Sequence, residues 1–147
     1  MPTEAAETLK EVVLATAPTL ASAGFKKRRN AFNRTTDQGV VQVLSFQMDR
    51  PPRGSTATRR FTVHVGVFVH DDGPSADPEP SWVNDGDCQI RHDVAELAAS
   101  GPDAHLALDD VDRATWATFH VVSMYALPWL DAHRTRAEAL AAGNGAG

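Results

Sequence analysis

The sequence predicts an α+β domain: an antiparallel meander sheet of three to five strands, with an N-terminal helix and two C-terminal helices packed on one face. Three observations carry this prediction. From Phe61 to Val69 the chain alternates without a break, with Phe61, Val63, Val65, Val67 and Val69 on one face and Thr62, His64, Gly66 and Phe68 on the other, the period of two that a strand requires. Apolar residues recur at spacings of three and four, the helical period, toward the two ends of the chain. Links between the strand-like segments are short, which favours antiparallel neighbours. A chain of 147 residues is sized for one core; residues 1–142 are read as a single domain and 143–147 as a disordered tail.

The elements follow in order. Thr3 is placed to cap a helix along Ala6, Leu9, Val13, Ala17 and Leu20, with acids in its early turns. Pro18 lacks an amide hydrogen, so the helix is expected to kink or restart there, and Gly24 to end it. Phe25 to Thr35 reads as a first strand and Asp37-Gln38-Gly39 as a turn. In a second strand, Val40 to Met48, the residues Val40, Leu44, Phe46 and Met48 face one way, and Val41, Val43, Ser45 and Gln47 the other. Asp49 to Thr58, with Pro51-Pro52 and Gly54, reads as a mobile loop. Asp71 to Asp87 reads as a long acidic loop containing Trp82.

Cys88 to His92 fits a short strand with Ile90 inward and Gln89 and Arg91 outward. Asp93 to Ala99 fits a helical turn, broken by Ser100-Gly101-Pro102. Val111, Ala114, Phe119, Val122 and Tyr125 mark an amphipathic helix after Asp110. On it Trp116 is expected to pack against the valine face, its loss costing roughly 3–5 kcal/mol. Pro128 is expected to start a last helix running to about Ala141.

Composition removes several classes. Apolar residues make up 42% and charged residues 22% of the chain, ordinary globular usage. A single cysteine, Cys88, forms no internal disulfide, and no apolar run is long enough to span a membrane. The first residues carry Glu4, Glu7 and Glu11 against Lys10, opposite in sign to a secretory leader, so a cytoplasmic location is expected. The formal charge of −5 hides an asymmetry: residues 26–60 carry nine Lys and Arg against two acids, while residues 61–147 carry four against fourteen. Such a split marks an anion-binding face or solvated surface.

Leu9-Lys10, Gly24-Phe25-Lys26-Lys27-Arg28, Phe32, Val40-Val41-Gln42-Val43, Phe46-Gln47 and Phe61-Thr62-Val63-His64-Val65-Gly66-Val67 stand in an order that resembles the domain-of-unknown-function 4304 family of bacterial proteins. Cys88-Gln89-Ile90-Arg91, Trp116 and Tyr125-Ala126-Leu127-Pro128-Trp129-Leu130 extend the resemblance, which covers about residues 7 to 130. It implies a single α+β domain in a bacterial cytosol and carries over no catalytic residues.

Chemistry-bearing motifs are sparse. The histidines have neither zincin spacing nor cysteine partners, so no metal and no cofactor is expected. His92-Asp93 lacks the helical setting of a metal-dependent phosphohydrolase, and no nucleophile elbow, Walker loop or dinucleotide fingerprint is present. Cys88 reads as a small buried hydrophobe.

What remains is a surface. Opposite the helices the sheet would carry Ser45, Gln47, Thr62 and His64, with Gln89 and Arg91, rimmed by Arg28, Arg34 and Arg60. Arginines beside a histidine suit carboxylate or phosphate. His64 is expected at the edge of a shallow polar depression near an arginine, with Gly66 leaving room for a ligand. The leading reading is a non-enzymatic binding module, monomer or homodimer, for an acidic protein or small anion. An alternative is a small phosphoester or acyl hydrolase with His64 as general base, beside Arg60 or Arg91. Nucleic-acid binding ranks third, because the net charge is negative and few aromatics interleave the basic stretch.

Overall fold

The computed structural model describes residues 3–50, 54, 59–70, 78, 80–97 and 106–145. The loop expected over Asp49 to Thr58 falls mostly outside these residues. So do the early part of the Asp71–Asp87 loop, the breaker Ser100-Gly101-Pro102 and the last two residues of the expected tail.

Helix α1 (Glu4–Ser22) is capped by Thr3, whose side-chain oxygen accepts from the Ala6 amide at 3.1 Å. It runs unbroken through Pro18, so the helix does not restart there. Pro18 and Leu14, whose carbonyl loses its bond, both lie on the exposed side, where solvent replaces the lost partner. The helix ends in a Schellman motif: Gly24, at φ 99°, donates to the Ala21 carbonyl, and Phe25 donates to that of Leu20.

The stretch expected as one strand is a hairpin, β1 (Lys26–Arg28) and β2 (Ala31–Asp37), reversed at Arg29-Asn30 with Arg29 at φ 56°. Its turn has no glycine, which hides it from a sequence reading. Strands β3 (Val40–Met48) and β4 (Arg60–Val69) pair antiparallel over nine positions, from Val40 with Val69 to Met48 with Phe61. Next to β4 lie β5 (Ile90–Asp93) and, farther along the same strand, the two-residue β6 (Leu106–Ala107). The order β1-β2-β3-β4-β5 is a meander throughout.

The pleat sends Phe32, Leu44, Phe46, Phe61, Val63 and Val65 to the face covered by α1 and by α3 (Val111–Val121). There Phe46 lies with its ring centroid 6.0 Å from Phe32 and 6.2 Å from Phe61. Each such buried side chain removes apolar area worth about 1.5–3 kcal/mol. Short α2 (Val94–Leu97) follows β5 directly. Helix α3 continues through a π turn, Val122–Ala126, into α4 (Leu127–Asp131), which carries Pro128 in its first turn.

The single last helix expected from Pro128 is two helices. Helix α5 (Arg136–Gly145) starts afresh at a capping box: the Thr135 amide donates to Glu138 at 3.0 Å, and the Glu138 amide to the Thr135 hydroxyl at 3.1 Å. Ala139 of α5 packs with Val40, Val67, Val69 and Ile90 in a smaller second core. No helix among the described residues is long and apolar enough to cross a membrane.

Trp116 corrects another expectation. It is 76% exposed, while Ala114, Thr118 and Val121 form the buried stripe of α3. Two residues from both Ala114 and Thr118, Trp116 points to the opposite side of the helix. Thr118 takes the core position because its hydroxyl donates back to the Ala114 carbonyl at 2.7 Å, which hides its polarity within the helix.

Candidate functional site

The sheet face away from α1 and α3 is not simply open. A strap, residues 80–89, crosses it, and Val83 and Cys88 bury Val41 and Val43 with Phe68 beside them. The side-chain amide of Asn33 clips the strap by donating to the Val83 carbonyl and accepting from the Val83 amide, both at 2.9 Å. Gln89 does the same to the backbone of Val69, again at 2.9 Å twice. The space expected above Gly66 for a ligand is filled by Cys88: a Cβ at Gly66 would lie 2.8 Å from its Sγ.

Burial pushes the Cys88 thiol from its ordinary 9.0 up to about 12, Asp85 and Asp87 adding to the shift and Arg91 opposing it. The folded value is the raised one, so this contribution to stability is intact below about pH 9 and is lost as pH climbs toward 12. At pH 8 the native thiol should react with a disulfide reagent at least about tenfold more slowly than in the unfolded chain. Equal rates, measured by absorbance of the released thiolate, would mean the strap is not closed.

The strap divides the nominated residues. Gln47, His64 and Arg91 share a depression of about 300 Å³, and its wall also carries Asp85, His92, Asp93 and Glu96. Ser45 and Thr62 are buried beside it, and the Thr62 hydroxyl donates to Asp49 at 2.7 Å. Arg60 is exposed near the end of β4, and the Gln89 side chain is spent on Val69.

Arg28 lies on the other side of the strap, its guanidinium 4.7 Å from the Trp82 ring centroid. Near it a second depression of about 360 Å³ is lined by Lys26, Asn33, Thr35, Ser81 and Trp82, among others, with no carboxylate among the described residues of its wall.

Arg34 is the correction. It pairs across the sheet with Gln42, on the helix side, and is buried. Its Nε and Nη2 donate to Gln42 Oε1 at 2.9 and 2.6 Å, its Nη1 to the Ala23 carbonyl at the end of α1 at 3.0 Å, and its Nη2 to Asp131 at 3.0 Å. Burial lowers its pKa, opposed by the hydrogen bond it donates to Asp131, while Arg134 adds to the lowering. Arg28 and Arg34 therefore sit on opposite faces, and the three arginines expected at one rim do not converge.

The groups that a sequence reading misses here are Lys26, Trp82, Asp85 and Glu96. The basic run that begins at Lys26 and the His92–Glu96 spacing of four were the available signals, and His92 and Glu96 meet at 2.6 Å. The ring nitrogens of His64 have no hydrogen-bond partner among the described residues. Among the described residues no three His, Cys, Asp or Glu side chains are arranged to hold a metal ion.

No curated protein and no solved structure matches this chain. A family model does, over residues 16–132, from the middle of α1 to just past α4. The match takes in the whole sheet, the strap and both depressions, so the chain belongs to the family described as Domain of unknown function (DUF4304).

Proposed function

We propose that the protein is a binding module that recognises an acidic protein segment at the β1 end of its strapped sheet face. One observation carries the reading. Lys26, Lys27, Arg28 and Arg29 are consecutive and exposed, beside a depression whose described wall residues include Lys26, two hydroxyls and Trp82 but no carboxylate.

Carboxylates suit these groups: Lys26 and the hydroxyls of Thr35 and Ser81 are donors, and Arg28 is held by stacking on Trp82. Exposed ion pairs are worth only about 0.2–1 kcal/mol each. Affinity therefore comes from several acting together, and it should weaken steeply with salt. A short lysine-rich edge strand also discourages pairing with another sheet, so recognition here runs through side chains.

The test is titration with a glutamate-rich peptide, read by tryptophan fluorescence in a Trp116→Phe background so that Trp82 contributes more of the signal. Saturable binding is expected, at least tenfold weaker in Lys26→Gln/Arg28→Gln and lost by about 0.5 M salt. Affinity unchanged in the double variant would overturn the reading. Duplex DNA bound more tightly than the peptide through the same two residues would replace it with nucleic-acid recognition.

A further inference from the structure

We propose that the outward ridge of α3, formed by Asp112, Trp116 and His120, docks a second copy of this chain, which lies antiparallel across it about a two-fold axis at Trp116. Three of the four exposed large apolar side chains among the described residues, Leu14, Trp116 and Met124, belong to α1 and to α3 with its π turn. Both helices cover the same sheet face, so their outer sides form one surface. Trp116 is the most open of the three at 76%, and Met124 follows at 59%. Tryptophan and methionine are enriched where protein surfaces meet, and lysine and glutamate are depleted there. The ridge carries neither of the latter two.

The spacing selects the occupant. Asp112, Trp116 and His120 are all exposed and four residues apart, which makes a single ridge along the helix. The carboxylate and the imidazole therefore stand about 6 Å along the axis to either side of the indole. Turning the ridge end for end exchanges the two. A copy docked antiparallel brings each Asp112 beside the other copy's His120 and sets the two indoles together at the axis. Every contact then occurs twice, as a closed two-fold interface requires. A neutral or charged imidazole can donate an N–H to a carboxylate. The His120 ring stands edge-on to that of Tyr125, with centroids 6.1 Å apart.

Charge sets the direction as well. Asp109, Asp110 and Asp112 gather at the start of α3, whereas residues 113–130 contain no acid and carry Arg113 and His120. A parallel copy would bring the acidic starts together. An antiparallel copy sets each start against the acid-free half of its mate. An anionic membrane is a poorer occupant, because Asp112 lies on the ridge and Glu4, Glu7 and Glu11 are exposed on α1. A contact through one ridge is smaller than the roughly 1,200 Å² of a standard interface, so the dimer should be weak, with a dissociation constant of about 10–300 µM.

The experiment is sedimentation equilibrium of the full chain from about 10 µM to about 1 mM. A monomer–dimer equilibrium is expected, weakened about tenfold or more by Trp116→Ala, Asp112→Lys and His120→Glu singly. All three side chains are exposed, so the fold survives each substitution. Mixed in equal amounts, Asp112→Lys and His120→Glu should associate at close to wild-type affinity. The mixed dimer pairs lysine with glutamate on one side of the axis and keeps Asp112 with His120 on the other. Leu140→Ser, which removes the exposed apolar side chain of α5, should leave association unchanged. A chain that stays monomeric throughout, a dimer indifferent to Trp116→Ala, or a mixture no tighter than its two components would overturn the proposal.

Discussion

Gln42→Leu should lower the unfolding free energy by about 3–5 kcal/mol, although leucine nearly matches glutamine in size. The Gln42 amide is fully used: Oε1 accepts twice from Arg34, and Nε2 donates to the carbonyls of Leu130 and His133. Removing it strands a buried guanidinium with Asp131 and the Ala23 carbonyl alone, and leaves two carbonyls at the end of α4 without that donor. Each buried group so stranded costs about 1–3 kcal/mol, more when charged.

The double variant Gln42→Leu/Arg34→Met removes the charge as well and should recover much of the loss, because replacing both polar partners is far cheaper than orphaning one. Urea denaturation of the two variants checks this. A single-variant loss below about 1 kcal/mol would show that α4 is held to the sheet by packing alone.

Gly66→Val should cost about 2–4 kcal/mol and should act through the strap. Besides the Sγ contact, the new Cβ would lie 2.9 Å from Cys88 Cβ and 3.2 Å from the Ile90 carbonyl oxygen. Neither can give way by a side-chain rotation, so the strap must lift, and Val41, Val43 and Val83 lose their cover. The lowered denaturation midpoint should come with a Cys88 thiol that reacts faster in the native state. Gly66→Ala combined with Cys88→Gly, which moves the missing Cβ from β4 to the strap, should restore the midpoint. A Gly66→Val protein with wild-type midpoint and thiol reactivity would refute the close seating of the strap.

Sequence periodicity located the sheet because one face of it is apolar at every second residue. The parity of β3 and β4 and the stop at Gly24 were legible for that reason. The same period says nothing about what covers the second face: Asn33 and Val83 are fifty residues apart, and neither has a partner within its own segment. Arg34 was misplaced because β2 alternates large with large, Phe32 and Arg34 inward beside Asn33 and Thr35 outward. Trp116 and Thr118 traded places because residue size is a poor guide where a hydroxyl can bond its own helix. The Thr135-x-x-Glu138 box was available as a pattern and outweighed by Pro128.

For the candidate site, the sequence brought Gln47, His64 and Arg91 onto one face but could not supply the strap's Asp85 beside them. Without that carboxylate the face reads as basic throughout. With it, the face divides into two ends of opposite character.

The bonds that fasten the C-terminal segment to β2 and β3, among them Gln42 to Leu130, Arg34 to Asp131 and Arg136 to Asp37, each span 88 to 99 residues of chain. The hairpins β1–β2 and β2–β3, by contrast, close over two-residue turns. During synthesis the meander is therefore complete before Asp131 and the Leu130 and His133 carbonyls, which complete its inward polar network, have been made. Arg34, already served by Gln42 and the Ala23 carbonyl, gains its carboxylate partner only when Asp131 arrives. The step that locks the native state is thus a loop closure across most of the chain, slow relative to the local hairpins and entropically costly only logarithmically in its length.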